Sequence, residues 1–143
     1  MEDKNMGFEF GTEDEKKEYI VNVKQDIPPT ELMPNCYSHI VAGKNMLVSF
    51  LTMTAGSVFE VHTHPHEQIM TVLEGYCDQI IDGKLYHVEK GDCLYMAPNI
   101  PHGSILRDVD CVVIDVFSPA REAHLEKYKE QNPDAKVFFL DKM

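Results

Sequence analysis

The chain has 143 residues, a formal net charge of −11 and 43% hydrophobic residues. Its length fits one domain with its own core, and its negative charge argues against binding to nucleic acid or to an anionic membrane. No apolar run approaches the roughly 20 residues of a membrane-spanning helix, and the N-terminal residues lack a signal-peptide pattern. These features predict a cytoplasmic protein without a nucleic-acid or membrane partner.

The first segment, residues 1–35, is predicted to be an acidic leader followed by irregular structure. Residues 1–18 are dense in charge around a short Phe-Glu-Phe, which indicates a solvated leader or an edge strand exchanged between two copies of the chain. The run YIVNV at residues 19–23 has the composition of a strand. Prolines interrupt DIPPTELMPN, residues 26–35, so we expect irregular backbone there.

Residues 36–118 are predicted to form a single β-sandwich or barrel. Short runs rich in β-branched and aromatic residues alternate with turn residues throughout this segment. Asp82-Gly83, between two such runs, is typical of a two-residue hairpin turn with positive φ. The four cysteines lack CxxC spacing, so we expect reduced thiols packed on strands. They are Cys36, Cys77, Cys93 and Cys111.

Residues 119–143 are predicted to form a tail with one helix. The stretch REAHLEKYKEQ, residues 121–131, has helical composition and spacing. The final VFFLDKM, residues 137–143, is a candidate edge strand. The pattern as a whole therefore predicts an all-β domain that carries a short C-terminal helix.

The stretch HTHPHEQ contains the densest group of candidate metal ligands. Residues two apart in a strand face the same side, so His62 and His64 are expected to project together. The proline after His64 is expected to end this strand. Gln68 begins the next strand, so the glutamine side chain can return to the same pocket. His102 lies far away in sequence but can converge with them in a closed barrel. A histidine pair alone is also typical of a protein surface; the framing glycines, Gln68 and the downstream His102 favour a metal site.

The other histidines and the glutamate of this stretch are not expected to bind the metal. His66 lies in the turn, and Glu67 points opposite to Gln68, so both are expected to be exposed or to stand behind the ligands. Three more histidines have no evident partner in the sequence and are expected to be ordinary surface or packing residues. They are His39, His87 and His124.

The ligand set has a chemical consequence. Three imidazoles and one amide carry no charge, so a divalent ion keeps its full charge and is suited to Lewis-acid polarisation of a substrate oxygen and to capture of an anion. Zinc, nickel, manganese and iron all suit such ligands. The glutamine disfavours the iron site of oxygenases, in which two histidines and one carboxylate bind the metal.

The run VVIDVFSPAR supplies further candidate residues. Asp115 shares one strand face with Val113 and Phe117, and an aspartate in an apolar run is costly to bury unless it is paired or functional. Asp115 is therefore a candidate general acid or base, and the planar fork of Arg121 suits a bidentate grip on a carboxylate. A salt bridge between Asp115 and Arg121 that closes the strand end explains the same residues equally well.

The spacing of the glycines and candidate ligands resembles the two cupin motifs. The two patterns are Gly56-x5-His62-x-His64-x3-Gln68-x6-Gly75 and Gly91-x10-His102. Gln68 stands where the first motif usually has glutamate, and Ala97, Asn99 and Leu106 depart from the second. The resemblance implies a cupin double-stranded β-helix, a jelly-roll barrel over residues 36–118, and a homodimer.

Together with these motifs, the stretch DVFSPAR resembles the small single-domain cupins of the KdgF type. These proteins convert cyclic 4,5-unsaturated uronates from pectin or alginate into the open-chain 4-deoxy-5-keto uronate. By this resemblance, one divalent metal ion is held by His62, His64, Gln68 and His102. The catalytic pattern of the family falls on Asp115, Phe117 and Arg121, with Arg121 also holding the substrate. The chain departs from the family in its longer leader and its C-terminal extension.

The sequence therefore predicts a metal-dependent isomerase or lyase that acts on a small anionic sugar acid. The metal would polarise the ring hemiacetal, Arg121 would hold the carboxylate, Phe117 would pack against the ring and Asp115 would move the proton. Two alternatives remain open on the same scaffold. One is a metal-dependent dioxygenase, and the other is a cupin that binds a small molecule without turnover.

Overall fold

Two antiparallel sheets make up most of the structure, a computed structural model that describes residues 4–137 and Phe139. The strands in chain order are β1 (Thr30–Met33), β2 (Cys36–Ala42), β3 (Leu47–Met53), β4 (Val58–His62), β5 (Glu67–Glu74), β6 (Tyr76–Ile81), β7 (Lys84–Glu89), β8 (Cys93–Met96), β9 (His102–Ile105) and β10 (Cys111–Ser118). The helices are α1 (Glu13–Lys16), α2 (Val23–Asp26) and α3 (Glu122–Gln131). None of the helices in the described residues is long and apolar enough to cross a membrane.

The strand order is that of a jelly roll. One sheet has six strands in the order β1-β2-β3-β10-β5-β8, and the other has four in the order β4-β9-β6-β7. Every pair of neighbouring strands is antiparallel. The prediction of an all-β jelly-roll domain with a short C-terminal helix is confirmed.

Alternation along the strands creates the core between the sheets. In β10 every second residue from Cys111 to Phe117 is buried, and β3 shows the same period. Cys36, Cys77 and Cys111 are buried free thiols, as expected. Cys93 is also a free thiol but is exposed, because it lies on β8 at the edge of the six-stranded sheet.

The hairpin turn between β6 and β7 adopts the conformation that the sequence predicts. Asp82 has φ +48° and Gly83 has φ +82°. Successive positive φ values are what a type I′ turn requires. This local signal therefore places the hairpin correctly without tertiary information.

Two predictions for the segment before the barrel are wrong. Residues 19–23 do not form a strand; Val23 begins α2, and the side chain of Asn22 accepts a hydrogen bond from the Gln25 backbone N–H, which is a helix N-cap. Residues 26–35 are not wholly irregular, because Thr30–Met33 pairs with β2 as β1. The prolines flank this short strand and leave its own N–H groups able to donate.

The two ends of the chain bear on two further predictions. Residues 4–20 are exposed throughout, in keeping with a solvated leader; its exchange between two copies and the homodimer stay predictions. Phe139 forms an isolated parallel bridge with Ala42. Residues 138 and 140–143 of the proposed final edge strand lie outside the described residues.

Helix α3 is attached to β1. The side-chain amide of Gln131 accepts a hydrogen bond from the Glu31 backbone N–H at 2.7 Å and donates one to the Glu31 carbonyl at 2.8 Å. Lys127 Nζ donates to the Leu32 carbonyl at 2.5 Å, and Tyr128 is buried. The helix is therefore fixed at its C-terminal half, while residues of its first turns line the central cavity.

Candidate metal centre and active site

Three imidazoles converge inside the barrel. His62 is the last residue of β4, His102 is the first residue of β9, and the two are paired across the strands. His64 lies in the loop after β4. The nearest ring nitrogens of His62, His64 and His102 all lie within 4.8 Å of one another, which is a spacing that one metal ion can bridge.

The prediction that strand parity brings His62 and His64 together is right in outcome and wrong in its reason. The strand ends at His62, so His64 is not on it. The ring of His64 is instead oriented by a hydrogen bond of 3.1 Å between its Nδ1 and the carbonyl of His66. The turn, rather than the pleat, therefore directs this side chain into the cluster.

Gly103 permits the close approach of β9 to β4. A Cβ at this position would lie 2.5 Å from the Phe59 carbonyl oxygen, which is closer than side-chain carbons tolerate. Because glycine has no Cβ, the two backbones meet at the residues next to His102. The pairing of His62 with His102 depends on this contact.

Each of the three rings has its Nδ1 atom beside a backbone carbonyl. Nδ1 of His62 lies 2.9 Å from the Glu60 carbonyl, and Nδ1 of His102 lies 2.9 Å from the Ile100 carbonyl; His64 has the equivalent bond described above. A carbonyl only accepts, so in His62 and His102 the Nδ1 atom carries the proton and the Nε2 atom keeps its lone pair. The Nε2 atom of His64 instead lies 3.1 Å from Gln68 Oε1.

The Nε2 atoms of His62 and His102 are buried and have no hydrogen-bond partner among the described residues. Buried polar atoms are rarely left in this state without a functional reason. A divalent ion between the three rings would satisfy both atoms, so the residues present fit a metal ion.

Burial keeps the imidazoles neutral. Desolvation lowers the pKa of His64 to about 4, with a smaller contribution from the positive charge of Arg121. Desolvation also lowers the pKa of His102 below its usual value. Metal binding requires neutral imidazole, so both rings are in the required form near neutral pH.

Gln68 connects the imidazole cluster to the buried carboxyl group. Its Oε1 lies 3.1 Å from His64 Nε2, and its Nε2 donates to Asp115 Oδ1 at 2.9 Å. The amide oxygen therefore lies on the side of the histidines, where a neutral ligand can reach the ion. Its role as a fourth ligand stays a prediction.

Asp115 is only 5% exposed and lines the cavity. Burial raises the pKa of its carboxyl group to about 6, although the hydrogen bond from Gln68 and the charge of Arg121 act in the opposite direction. A carboxyl group with a pKa in this range can hold or release a proton near neutral pH. This environment suits a general acid or base.

Arg121 lines the same cavity but forms no salt bridge with Asp115. Within residues 4–137 and 139, no ion pair engages its guanidinium. The guanidinium carbon lies 5.2 Å from the centre of the Phe117 ring, a cation–π contact. The structural salt bridge that the sequence left open is therefore not formed, and the planar fork remains available to a ligand.

The cavity that these side chains surround has a volume of about 160 Å³. Phe117 lies on its wall, with its ring centre 5.7 Å from that of His64. Six of the seven residues singled out by sequence line the cavity; His64 completes the adjoining imidazole cluster. The six are His62, Gln68, His102, Asp115, Phe117 and Arg121.

His66 and Glu67 do not join the cluster. His66 is buried rather than exposed, and its Nε2 lies 2.9 Å from Glu122 Oε2 on α3. With its carbonyl bound to the His64 ring, His66 stands behind a candidate ligand, which is one of the two positions expected for it. Glu67 is exposed and accepts a hydrogen bond from the Tyr95 hydroxyl at 2.7 Å.

His124 is the cavity residue that the sequence reasoning missed. Its ring meets the Phe117 ring edge-on, with 5.2 Å between their centres, and it lines the cavity. The available signal was its position three residues after Arg121 on a helix, since residues three apart share a helix face. By contrast, His39 binds the Ile27 carbonyl and His87 pairs with Asp78 on the surface, as ordinary packing and surface residues do.

Comparisons with known proteins agree with this architecture. Residues 49–117 match the Cupin_2 family, described as a cupin domain. An RmlC-like cupin from Shewanella frigidimarina superposes with a TM-score of 0.69 and 23% identity, over 74% of this chain and 95% of that one. KdgF from Halomonas sp. superposes with a TM-score of 0.65 and 25% identity, over 73% of this chain and 94% of that one.

A predicted oxalate decarboxylase from Thermotoga maritima has a TM-score of 0.62 and 18% identity, over 70% of this chain and 98% of that one. No curated protein matches the chain in sequence. The fold is therefore that of the cupins, and this fold hosts several chemistries. The choice among them depends on the residues of the cavity.

Proposed function

We propose that this protein is a metal-dependent enzyme that converts a cyclic 4,5-unsaturated uronate into the open-chain 4-deoxy-5-keto uronate. One observation carries the proposal: a single cavity adjoins three convergent imidazoles and contains both a buried carboxyl group and a guanidinium that has no ion-pair partner among the described residues. The similarity to KdgF from Halomonas sp., at 25% identity, and the resemblance of the DVFSPAR stretch support the substrate class.

The charge distribution of the cavity suits an anionic sugar. The chain has a net charge of −11, so an anion approaches against the overall field. Arg121 and Lys127 both line the cavity and supply local positive charge. Arg121 can hold the substrate carboxylate through two parallel hydrogen bonds, and Phe117 on the cavity wall would pack against the sugar ring.

His62, His64, Gln68 and His102 would hold a divalent metal ion. When bound, such an ion supplies Lewis-acid polarisation of a substrate oxygen. The chain prepares the site by fixing each imidazole through a backbone carbonyl. Gln68 also joins this site to Asp115, since its amide N–H group orients the carboxyl group.

Asp115 would move the proton that the reaction transfers. The anomeric hydroxyl loses a proton, the bond between C1 and the ring oxygen breaks, and C1 becomes an aldehyde. The resulting enol at C5 becomes a ketone as C4 gains a proton. The conversion is an isomerisation that consumes no oxidant, and a carboxyl group with a pKa of about 6 can accept the first proton and donate the second.

The test is turnover of an unsaturated galacturonate prepared with a pectate lyase. Loss of the ultraviolet absorbance of the enol-ether double bond should be faster with metal-loaded protein than with buffer. Asp115→Asn should lower kcat by about 10²–10⁴-fold and retain the metal, since the asparagine can still meet Gln68. Failure of the metal-loaded protein to accelerate the reaction, or a fully active Asp115→Asn variant, would contradict the proposal. Uptake of oxygen with turnover would favour the dioxygenase alternative instead.

A further inference from the structure

His124 combines a position on the cavity wall with free hydrogen-bonding capacity. It lies in the first turns of α3, and its ring is held edge-on against Phe117. Yet in the described part of the chain neither of its ring nitrogens has a hydrogen bond to a protein group. The three imidazoles of the candidate metal centre differ in this respect. His62, His64 and His102 each bind a backbone carbonyl.

The environment of His124 keeps its ring neutral. Desolvation, with the nearby charges of Arg121 and Lys127, lowers its pKa to about 2. A neutral imidazole has one donor and one acceptor nitrogen, the pair of functions that a sugar hydroxyl can engage. A ligand hydroxyl that enters the cavity can therefore engage both functions of this ring.

Arg121 and His124 are placed to contact two parts of one sugar. Arg121 is the N-cap residue of α3, and the backbone N–H of His124 donates to its carbonyl at 3.1 Å. The two side chains therefore start from neighbouring positions at the beginning of the helix, and both line the cavity. In a uronate the carboxylate is attached to C5, and C2 lies directly across the ring. If the guanidinium holds the carboxylate, the imidazole one turn further along α3 faces the C2 side.

We propose that His124 is a specificity-determining residue that hydrogen-bonds the C2 hydroxyl of the sugar acid and so distinguishes between the two C2 configurations. This inference rests on the proposed function. Unsaturated uronates released from pectin and from alginate differ in their configuration at C2. His124 therefore sets the preference of this enzyme between substrates from the two polysaccharides.

The variants separate hydrogen bonding from packing. His124→Phe keeps an aromatic ring against Phe117 and removes both nitrogens, while His124→Gln restores a donor and an acceptor on a flexible side chain. His87→Phe is the matched control, because His87 is a surface residue of β7 paired with Asp78 and does not line the cavity. Circular dichroism and metal content confirm that each variant is folded and loaded.

The measurement is kcat/KM for the pectin-derived and the alginate-derived unsaturated uronates. His124→Phe should lower kcat/KM for the preferred substrate by about tenfold, mainly through KM, and bring the ratio between the two substrates close to one. His124→Gln should recover part of the preference, and His87→Phe should leave both values unchanged. A His124→Phe variant that keeps the substrate ratio of the unmodified protein would overturn the inference.

A binding measurement separates this inference from the proposed function. Glucuronate and mannuronate differ only at C2, and isothermal titration calorimetry of the metal-loaded protein follows their binding without turnover. If the unmodified protein turns over neither unsaturated uronate, the proposed function fails. The inference about His124 then stands only if the protein discriminates between these two sugar acids and His124→Phe does not. Equal binding of both, or binding of neither, would overturn it.

Discussion

The two sides of the cavity differ in how their polar atoms are satisfied. On the side of the strands, each clustered imidazole has its Nδ1 fixed by a backbone carbonyl, and the Nε2 atoms converge. On the side of α3, Arg121 and His124 present polar atoms that pair with no protein group within residues 4–137 and 139. One side is arranged in advance around an ion, while the other keeps its hydrogen-bonding capacity for a ligand.

This difference follows from the elements that carry the residues. His62 and His102 pair across the ends of β4 and β9, and a backbone carbonyl fixes the ring of each clustered imidazole, including that of His64 in the loop after β4, as metal ligation requires. Arg121 and His124 lie at the beginning of α3, where their side chains project over the cavity. Substitutions should therefore affect metal content on one side and substrate affinity on the other.

The largest effect is expected for His102→Ala. Removal of a group that orients a metal ligand typically lowers metal affinity about 10–100-fold. Removal of a ligand itself should therefore weaken metal binding by more than about 100-fold. Plasma mass spectrometry after dialysis measures retained metal, and His87→Ala serves as the control. Stoichiometric metal in His102→Ala would show that the imidazole cluster does not hold the ion.

Arg121→Lys should affect substrate affinity and leave the metal in place. The lysine keeps the positive charge but loses the planar fork that pairs with a carboxylate. Loss of one charge-assisted hydrogen bond, worth about 1.5 kcal/mol, corresponds to a KM about tenfold higher. Steady-state kinetics with metal-loaded protein measures this change. An unchanged KM would mean that Arg121 does not hold the carboxylate.

His124→Phe should change how stability depends on pH. The pKa of His124 is lowered from 6.5 to about 2, so below pH 6.5 the unfolded chain binds a proton that the folded protein does not. The stability that this neutral ring contributes is fully present above that pH and is lost as pH falls toward 2. Urea unfolding at about pH 7 and about pH 5 should show a smaller loss for His124→Phe, by at most about 1.4 kcal/mol per pH unit. Equal losses in the two proteins would contradict the burial of this ring.

The smallest effect is expected for Glu122→Ala, which removes the contact between α3 and the buried His66. The glutamate side chain is 73% exposed, and ion pairs of exposed groups contribute about 0.2–1 kcal/mol. Thermal unfolding should therefore shift by only a few degrees, with Glu122→Gln closer to the unmodified protein because the amide can still hydrogen-bond. Loss of metal in Glu122→Ala would instead show that the contact supports the ligand loop.

Local signals predict much of the barrel and most of the candidate site. Asp82-Gly83 places a hairpin because positive φ is a property of those residues themselves. The prolines around Thr30–Met33 misled the prediction, since pairing with β2 outweighed the local tendency toward irregular structure. At the site, the spacing of the HTHPHEQ stretch and His102 identified the residues that converge, although the turn and not the strand orients His64.

The sequence by itself predicted an all-β sandwich or barrel, the clustered histidines and the candidates Gln68, Asp115 and Arg121, because strand alternation and residue spacing are local properties. The jelly-roll barrel was implied by the resemblance to the cupin motifs. Only the tertiary structure decided that Arg121 has no ion pair among the described residues, that His66 is buried and that His124 reaches the cavity. Those outcomes depend on how α3 packs against the strands. Contacts between elements far apart in sequence leave no periodic signal, so they emerge only when the chain is folded.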